Sequence, residues 1–272
     1  MSLSSFIPQV WSARLLDNLH KSQVFGGLCN RNYEGEITAW GDTVHINALS
    51  DITVKTYVRG EDIDDPEQLT GTDLTLTIDH GAYYNFYLND VDAAQARAEL
   101  MDAAMRSAAR KLSEDTETYL LGVITDGAGT TEQGPLPEGG VYALLVGIKA
   151  ALDSKHVPKY GRCLVIPPEV ESELLLDNRF ITGTAMADGR LAEGAVARAA
   201  GFDIYVSPDL EDKVVAMIPD AVTFACQVSK TEAYRREKGF DDGVKGLCLC
   251  GAKVLLPDAV YVHEITEAQG EE

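Results

Sequence analysis

Residues 89–127, NDVDAAQARAELMDAAMRSAARKLSEDTETYLLGVITDG, contain no proline and no interior glycine before Gly122. Such a run predicts one α-helix of about nine turns, roughly 50 Å long at the usual rise per residue. That is about twice or more the length common in globular proteins. A strut of this kind constrains everything else, because the rest of the chain has to supply a surface along it. Met101, Met105, Ala108, Leu112, Tyr119 and Val123 recur by threes and fours and define its apolar stripe. The other side offers pairs four apart: Asp102 with Arg106, Arg110 with Glu114, and Lys111 with Asp115. Asn89 or Asp90 supplies a cap.

The segments on either side follow different periods. In FIPQVWSARLLDNLHKSQVF, residues 6–25, Val10, Trp11, Leu15, Leu16 and Leu19 fall near one stripe of a short helix, which Gly26 and Gly27 are expected to end. Between 34 and 90 the period becomes two. Val44, Ile46 and Ala48 alternate with polar residues, as do Ile52, Val54 and Thr56, and then Leu74, Leu76 and Ile78. These read as strands with one buried face, forming a long β-hairpin. Its tip is the turn-rich acidic loop RGEDIDDPEQLTGTD, and the segment holds twelve acidic residues against Lys55 and Arg59.

Beyond the helix, GAGTTEQGPLPEGG reads as a flexible loop. VYALLVGIKAALDSK and PEVESELLLDNRF read as helices, the second with Pro168 at its start. RCLVIPP, GFDIYVSPDL, KVVAMIP, VTFACQV, VKGLCLC and AKVLLPDAVYVHEI read as strands.

A chain of 272 residues with 45% apolar content folds around a sizeable core. Its net charge of -20 disfavours binding to nucleic acid through phosphate contacts. The start lacks a basic and apolar leader, and the longest apolar run is far short of a membrane span. Motifs for phosphate cradles, zinc proteases and nucleophile elbows are missing, and Gly127-x-Gly129 follows a helix rather than a strand. DIDDPE at 62–67 fails as a calcium loop, since Pro66 takes a ligand position and the sixth-position glycine is missing. It reads as a solvated loop or one touching a neighbour. The five cysteines are Cys29, Cys163, Cys226, Cys248 and Cys250. Their number is odd and no CxxC occurs, which suggests free thiols in a reducing cytoplasm. Cys248 and Cys250 share a strand face, with no further ligand evident from spacing, so core packing is expected. Arg235, Arg236 and Lys238 form a small basic cluster, either a solvated turn or a partner for an acidic loop of another copy. No catalytic residue, metal or cofactor is indicated.

The order of parts, with FIPQVWSARLLDNLHKSQVF, GEITAWGDTVHI, RLAEGAVARAAGFDIYVSPDL and GVKGLCLCGAKVLLPDAVYVHEI, resembles the major capsid proteins of tailed bacteriophages, the Hong Kong 97 type of fold. The resemblance covers nearly the whole chain. It implies an α+β fold: an N-terminal arm at 1–32, an extended β-hairpin loop at 33–88, and a peripheral domain at 89–140 built on the long spine helix. A mixed α/β axial domain at 141–224 and closing strands of the peripheral domain at 225–272 would complete it. It implies a structural coat protein of the virion that assembles with itself, as pentamers and hexamers, into an icosahedral head. The shell would form in the host cytoplasm and enclose double-stranded DNA without reading its sequence. A separate scaffolding protein and a portal are the implied partners, since the arm begins almost at once where some relatives carry a scaffolding segment. No enzyme activity, cofactor or membrane is implied. The candidate inter-subunit contacts are Trp11, Glu61, Asp62, Asp64, Asp65, Arg235, Arg236 and Lys238. Some relatives crosslink through a loop lysine and an asparagine, but here RGEDIDDPEQLTGTD has no lysine and FDDGVKG no asparagine. The shell protein of an encapsulin-like compartment, which shares the fold, is the alternative.

Overall fold

A computed structural model describes residues 23–33, 40–49, 71–177, 197–235 and 241–266, with 52–54, 56–57, 59–60 and 65 between them. The long run is a single helix, α2 (Asp90–Gly127), of 38 residues, about 57 Å at 1.5 Å per residue. Met105 and Leu112 are buried, as their spacing requires. The buried line then continues through Ala109, Thr116, Glu117, Leu120 and Ile124, while Tyr119 and Val123 flank it half-buried. The side chains of Met101 and Asp102 lie outside the described residues. Of the four-apart pairs, Arg110 and Glu114 meet at 3.8 Å. Lys111 turns to Glu114 instead of Asp115, because Asp115 is engaged by His80 Nε2 at 2.6 Å.

Helix α2 lies against a three-stranded antiparallel sheet of order β3-β10-β9, made by β3 (His80–Asn89), β10 (Asp241–Val254) and β9 (Val222–Arg235). VKGLCLC and the following AKV, expected as separate strands, are one 14-residue strand, β10. Opposite Leu247 and Cys248 the register on β9 steps from Lys230 to Val228, so the extra residue is Ser229 of β9, while β10 runs on in register with β3. Gly251 does not break the strand but admits a neighbour. A Cβ there would stand 2.4 Å from the Thr77 carbonyl oxygen.

That neighbour is the hairpin of β1 (Thr43–Leu49) and β2 (Gly71–Thr77), paired in register from Thr43↔Thr77 to Leu49↔Gly71. Val44, Ile46, Leu76 and Ile78 pack on Ala225 and Leu249 as a second, smaller core. Gly81 serves the same close approach, since a Cβ there would meet the Trp40 ring at 2.5 Å. The strand expected at 52–57 is not formed among its described residues, and Ile52, Val54 and Tyr57 are exposed. Among the described residues no surface buries their alternation.

The remaining strands form a six-stranded mixed sheet of order β4-β11-β8-β5-β7-β6. These are β4 (Thr130–Gly134), β5 (Cys163–Ile166), β6 (Ala197–Ala199), β7 (Phe202–Val206), β8 (Lys213–Met217) and β11 (Val260–Ile265). Part of the expected flexible loop after α2 is therefore strand β4, held in parallel to β11. Local sequence did not show this, because the partner lies some 130 residues away. Helix α3 (Gly140–Ser154) buries Val141, Leu144, Leu145, Ile148 and Leu152, and α4 (Pro168–Leu176) starts at Pro168. Arg162, nearly inaccessible, ties the loop between α3 and β5 together through Asp153 at 2.8 Å and the Val157 carbonyl at 2.6 Å. Among the described residues no helix is long and apolar enough to cross a membrane.

Gly26 and Gly27 do not end a helix. They lie inside a single helical turn, α1 (Phe25–Leu28), and the rest of the expected 6–25 helix falls outside the described residues apart from 23–25. The reason is an acceptor brought from α2, described below.

Leu112→Asp would place an unpaired charge in this core at a cost of several kcal/mol. Expression should give insoluble protein, whereas Ser107→Asp, on the exposed side of the same helix, should stay soluble. Soluble Leu112→Asp protein that still assembles would contradict the buried line.

Candidate assembly surface

The chain N-terminal to the hairpin is fixed to the body by Glu117. Helix α2 carries this carboxylate into the core, where only 2% of the residue is exposed. Its Oε2 accepts from the Phe25 N–H at 2.8 Å and its Oε1 from the Gly26 N–H at 2.9 Å. The first N–H groups of any helical turn lack internal acceptors. Here a side chain 91 to 92 residues away caps them, which is why α1 forms across two glycines. Asn30 continues the attachment: its N–H donates to the Val222 carbonyl, and its carbonyl accepts from the Phe224 N–H. Arg31 stacks over the Phe224 ring at 5.5 Å. Burial pushes the Glu117 carboxyl above the usual carboxylate range. The backbone donors oppose that rise, and Asp209 adds to it. Sequence reading missed this residue because a glutamate within a helix is taken as solvent-facing. Its position between Ser113 and Leu120, on the buried line, was the available signal.

A second fastening joins α2 to the hairpin base. The Tyr119 hydroxyl donates to Asp79 Oδ1 at 2.7 Å and accepts from the Ala252 N–H at 3.3 Å. The His80 ring stacks on Tyr119 at 4.4 Å while its Nε2 reaches Asp115. Asp79 and His80 span the turn from β2 to β3, so helix, hairpin and central sheet are locked at one point.

What the body holds, the surface extends. Past the anchored base, Val54 is 93% exposed, with Ile52 and Tyr57 exposed beside it. The outer face of β3-β10-β9 presents Tyr83 and Tyr87. Beside them, Lys245 pairs with Glu232 at 3.0 Å, and the Tyr234 hydroxyl donates to Asn85 at 2.7 Å. Tyr160, Leu175 and Leu176 are exposed on the six-stranded part. Of the contacts named from sequence, Asp65 is described and exposed in the stretch between β1 and β2. Arg235 is described and exposed at the end of β9. No ion pair among the described residues joins those two. Trp11, Glu61, Asp62, Asp64, Arg236 and Lys238 lie outside the described residues. The exposed apolar residues were not singled out from sequence as contacts; Ile52 and Val54 were read there as the buried face of a strand.

Pairing also corrects the reading of the cysteines. Cys250 lies directly opposite Cys226 across β10 and β9, so a third thiol joins Cys248 and Cys250 on the face toward α2. The sulfurs lie 2.8 Å (226–250), 3.2 Å (226–248) and 3.7 Å (248–250) apart. Contacts from the two neighbouring thiols favour the Cys248 thiolate and hold its pKa below the usual thiol range, while Cys226 is pushed up by its sulfur neighbours and by burial.

The described residues form an α+β fold with a 38-residue helix, a hairpin packed on the central sheet and exposed apolar side chains. The sequence model of the family described as phage capsid protein matches residues 49–263, and the chain belongs to that family. It is a structural capsid protein of a phage particle. Among solved structures it is similar to Mycobacterium phage Che8, at 26% identity and a TM-score of 0.70, over 89% of this chain and 90% of that one. It is similar to the capsid of cyanophage P-SCSP1u at 16% identity and a TM-score of 0.69, over 90% and 89%. The virus-like particle from Pyrococcus furiosus shares the fold at 16% identity and a TM-score of 0.61, over 94% and 98%. No curated protein matches the sequence.

Replacing Glu117 tests the first fastening. Glu117→Leu leaves two buried N–H groups without an acceptor and should lower unfolding stability by about 2–4 kcal/mol, read from urea titration. Glu117→Gln keeps one acceptor oxygen and should lose less. Because the folded carboxyl binds its proton more tightly than the unfolded one, its contribution is complete below the ordinary carboxylate pKa. It is lost as pH rises through the raised folded value. Stability measured across that window should slope downward with pH for the native sequence, and the slope should flatten in Glu117→Gln.

Proposed function

We propose that the chain is the major shell subunit of a tailed phage, with the Hong Kong 97 type of domain plan. Residues 1–32 are the arm, 33–88 the extended loop, and 89–140 the peripheral domain with α2 as its spine. Residues 141–224 are the axial domain, and 225–272 return to the peripheral domain. Pentamers and hexamers of it close into an icosahedral head in the host cytoplasm and enclose double-stranded DNA held without sequence recognition. A separate scaffolding protein and a portal act in assembly. The observation that carries this reading is the contrast within the hairpin. Its base is fastened by a core of its own and by Tyr119, while Ile52, Val54 and Tyr57 beyond it have no cover among the described residues. A neighbouring subunit is the surface that the alternation at 52–57 lacks. Heterologous contacts of this kind close into rings.

The acidic stretch supports the same reading. Glu61, Asp62, Asp64 and Asp65 lie in sequence between the hairpin strands, and Arg235 ends β9 with Arg236 and Lys238 after it in sequence, so opposite charges stand at two places on each copy. Trp11 extends the set on the arm. Cohesion is noncovalent, since the positions for a lysine–asparagine crosslink lack both reactants. An encapsulin-like compartment is the second reading and has less support, since the family match is to phage capsids. A packaged enzyme in place of DNA inside purified particles would favour it.

Three measurements check the proposal. Val54→Asp should reduce particle yield in electron micrographs while leaving the melting of the unassembled subunit within about 0.5 kcal/mol of native stability. Equal loss in both would sink the inter-subunit role. Neutralising Glu61, Asp62, Asp64 and Asp65 together should change particle yield and its salt dependence more than subunit melting. Mature particles boiled with reductant should run as one band near 29.4 kDa, and a ladder of larger species would reveal the covalent mesh that this reading excludes.

A further inference from the structure

Cys226, Cys248 and Cys250 put three sulfurs within 4.8 Å of one another in the layer between the central sheet and α2. Two chemistries suit such a triangle, a thiophilic cation or a disulfide. Three thiolates on a divalent cation would leave net negative charge in a dry layer, which is costly without a counter-charge. The charged groups acting on Cys248 there, His80 and Asp115, already pair with each other. Zinc in a closed site takes four ligands, and among the described residues no fourth His, Cys, Asp or Glu joins the group. The Thr116 hydroxyl, 3.9 Å from Cys250 Sγ, already donates to the Leu112 carbonyl. A disulfide is neutral and needs no fourth group.

Register selects the pair. Directly opposed residues of antiparallel strands have Cα atoms about 4.5–5.5 Å apart, inside the roughly 4.4–6.8 Å that a disulfide spans. Cys226 and Cys250 are such a pair, with sulfurs at 2.8 Å. Cys248 opposes Val228, so it reaches Cys226 only along the diagonal, where separations are longer, about 7–8 Å. Cys248 and Cys250 lie two apart on one strand, with the widest sulfur spacing of the three.

We infer that Cys226 and Cys250 are a modification site, an oxidisable cross-strand pair that staples β9 to β10 behind the spine helix when the protein meets a hydroperoxide. Cys226, 7% exposed, is the most accessible of the three. Its thiol takes one oxygen from hydrogen peroxide to become a sulfenic acid, and water leaves. The Cys250 sulfur then attacks the Cys226 sulfur. The S–S bond forms, the S–O bond breaks, and the hydroxyl departs with the Cys250 proton as a second water. Peroxide is the two-electron oxidant, and the adjacent thiol captures the sulfenic acid before further oxidation. Inside a reducing cell the pair stays as dithiol, and outside it the staple closes.

The test uses purified full-length protein, treated with hydrogen peroxide, denatured and alkylated, and then weighed intact and mapped by peptide mass spectrometry. Three of the five thiols should remain alkylatable, with a 226–250 linked peptide that disappears on reduction. The thermal midpoint should rise by roughly 5–10 °C over the reduced protein. Cys248→Ala should still form the link, and Cys250→Ala should form no link through Cys226 and leave that sulfur as a sulfenic acid that dimedone traps, with the other three thiols alkylatable. Alkylation of all five native thiols would overturn the inference. So would a link through Cys248, sulfonic acids at the trio, or one equivalent of zinc or copper in the untreated protein by elemental analysis.

Discussion

Residues 248–252 of strand β10 are buried on both faces, and the other elements take their places from that constraint. The strand keeps an unbroken register with β3 as far as Cys250, so its side chains simply alternate. Cys248 and Cys250 face α2 while Leu249 faces the hairpin base. One strand thus serves two cores, and neither the helix nor the hairpin can shift without disturbing the other. The Tyr119 hydroxyl makes the coupling explicit, because it bonds to Asp79 at the hairpin base and to the Ala252 N–H of β10. Glu117, on the same side of α2, adds the N-terminal segment to this frame through backbone groups alone. The Phe25 side chain, fully buried in the main core, holds the same turn from the apolar side.

How much of this was readable from sequence depends on the range of the interaction. Helix α2 was legible because a run without breakers is a local property, and so was the packing of Met105 and Leu112. Helices α3 and α4 and the buried strand Cys163–Ile166 were legible for the same reason. Strand β4 was not, because its only support is a parallel partner at Val260–Ile265. Neither was the merging of β10 across Gly251, since a glycine in a strand looks the same locally whether it breaks the strand or admits a backbone. Glu117 and the cysteine triangle were hidden for a related reason. Hydrophobic period tells which face is buried but not which polar group on it finds a partner, and a strand face does not tell which strand lies opposite. The alternation at 52–57 was read correctly as a pattern and wrongly as a strand of the isolated fold. Period two records that a face is meant to be covered, and it does not say by which chain.

Magnitudes decide what that uncovered face contributes in a shell. Burying side chains such as Ile52, Val54 and Tyr57 is worth about 1.5–3 kcal/mol each, before the cost of ordering the segment. Exposed ion pairs give about 0–1 kcal/mol each and weaken with salt. On these magnitudes the apolar contacts of the proposed shell would supply its cohesion, and the charges would act on its rate and threshold. A subunit with net charge -20 repels its copies, but at physiological salt that repulsion is screened beyond about 8 Å. It acts on approach and is outweighed once apolar surfaces meet, unless acidic side chains are trapped at the contact. A frame locked through β10 and Tyr119, with Ile52, Val54 and Tyr57 exposed beyond it, keeps these two roles apart in the proposed shell. In the proposed shell such a frame would set the angle at which subunits meet, and the exposed segments how strongly, so contact strength and curvature would be separable.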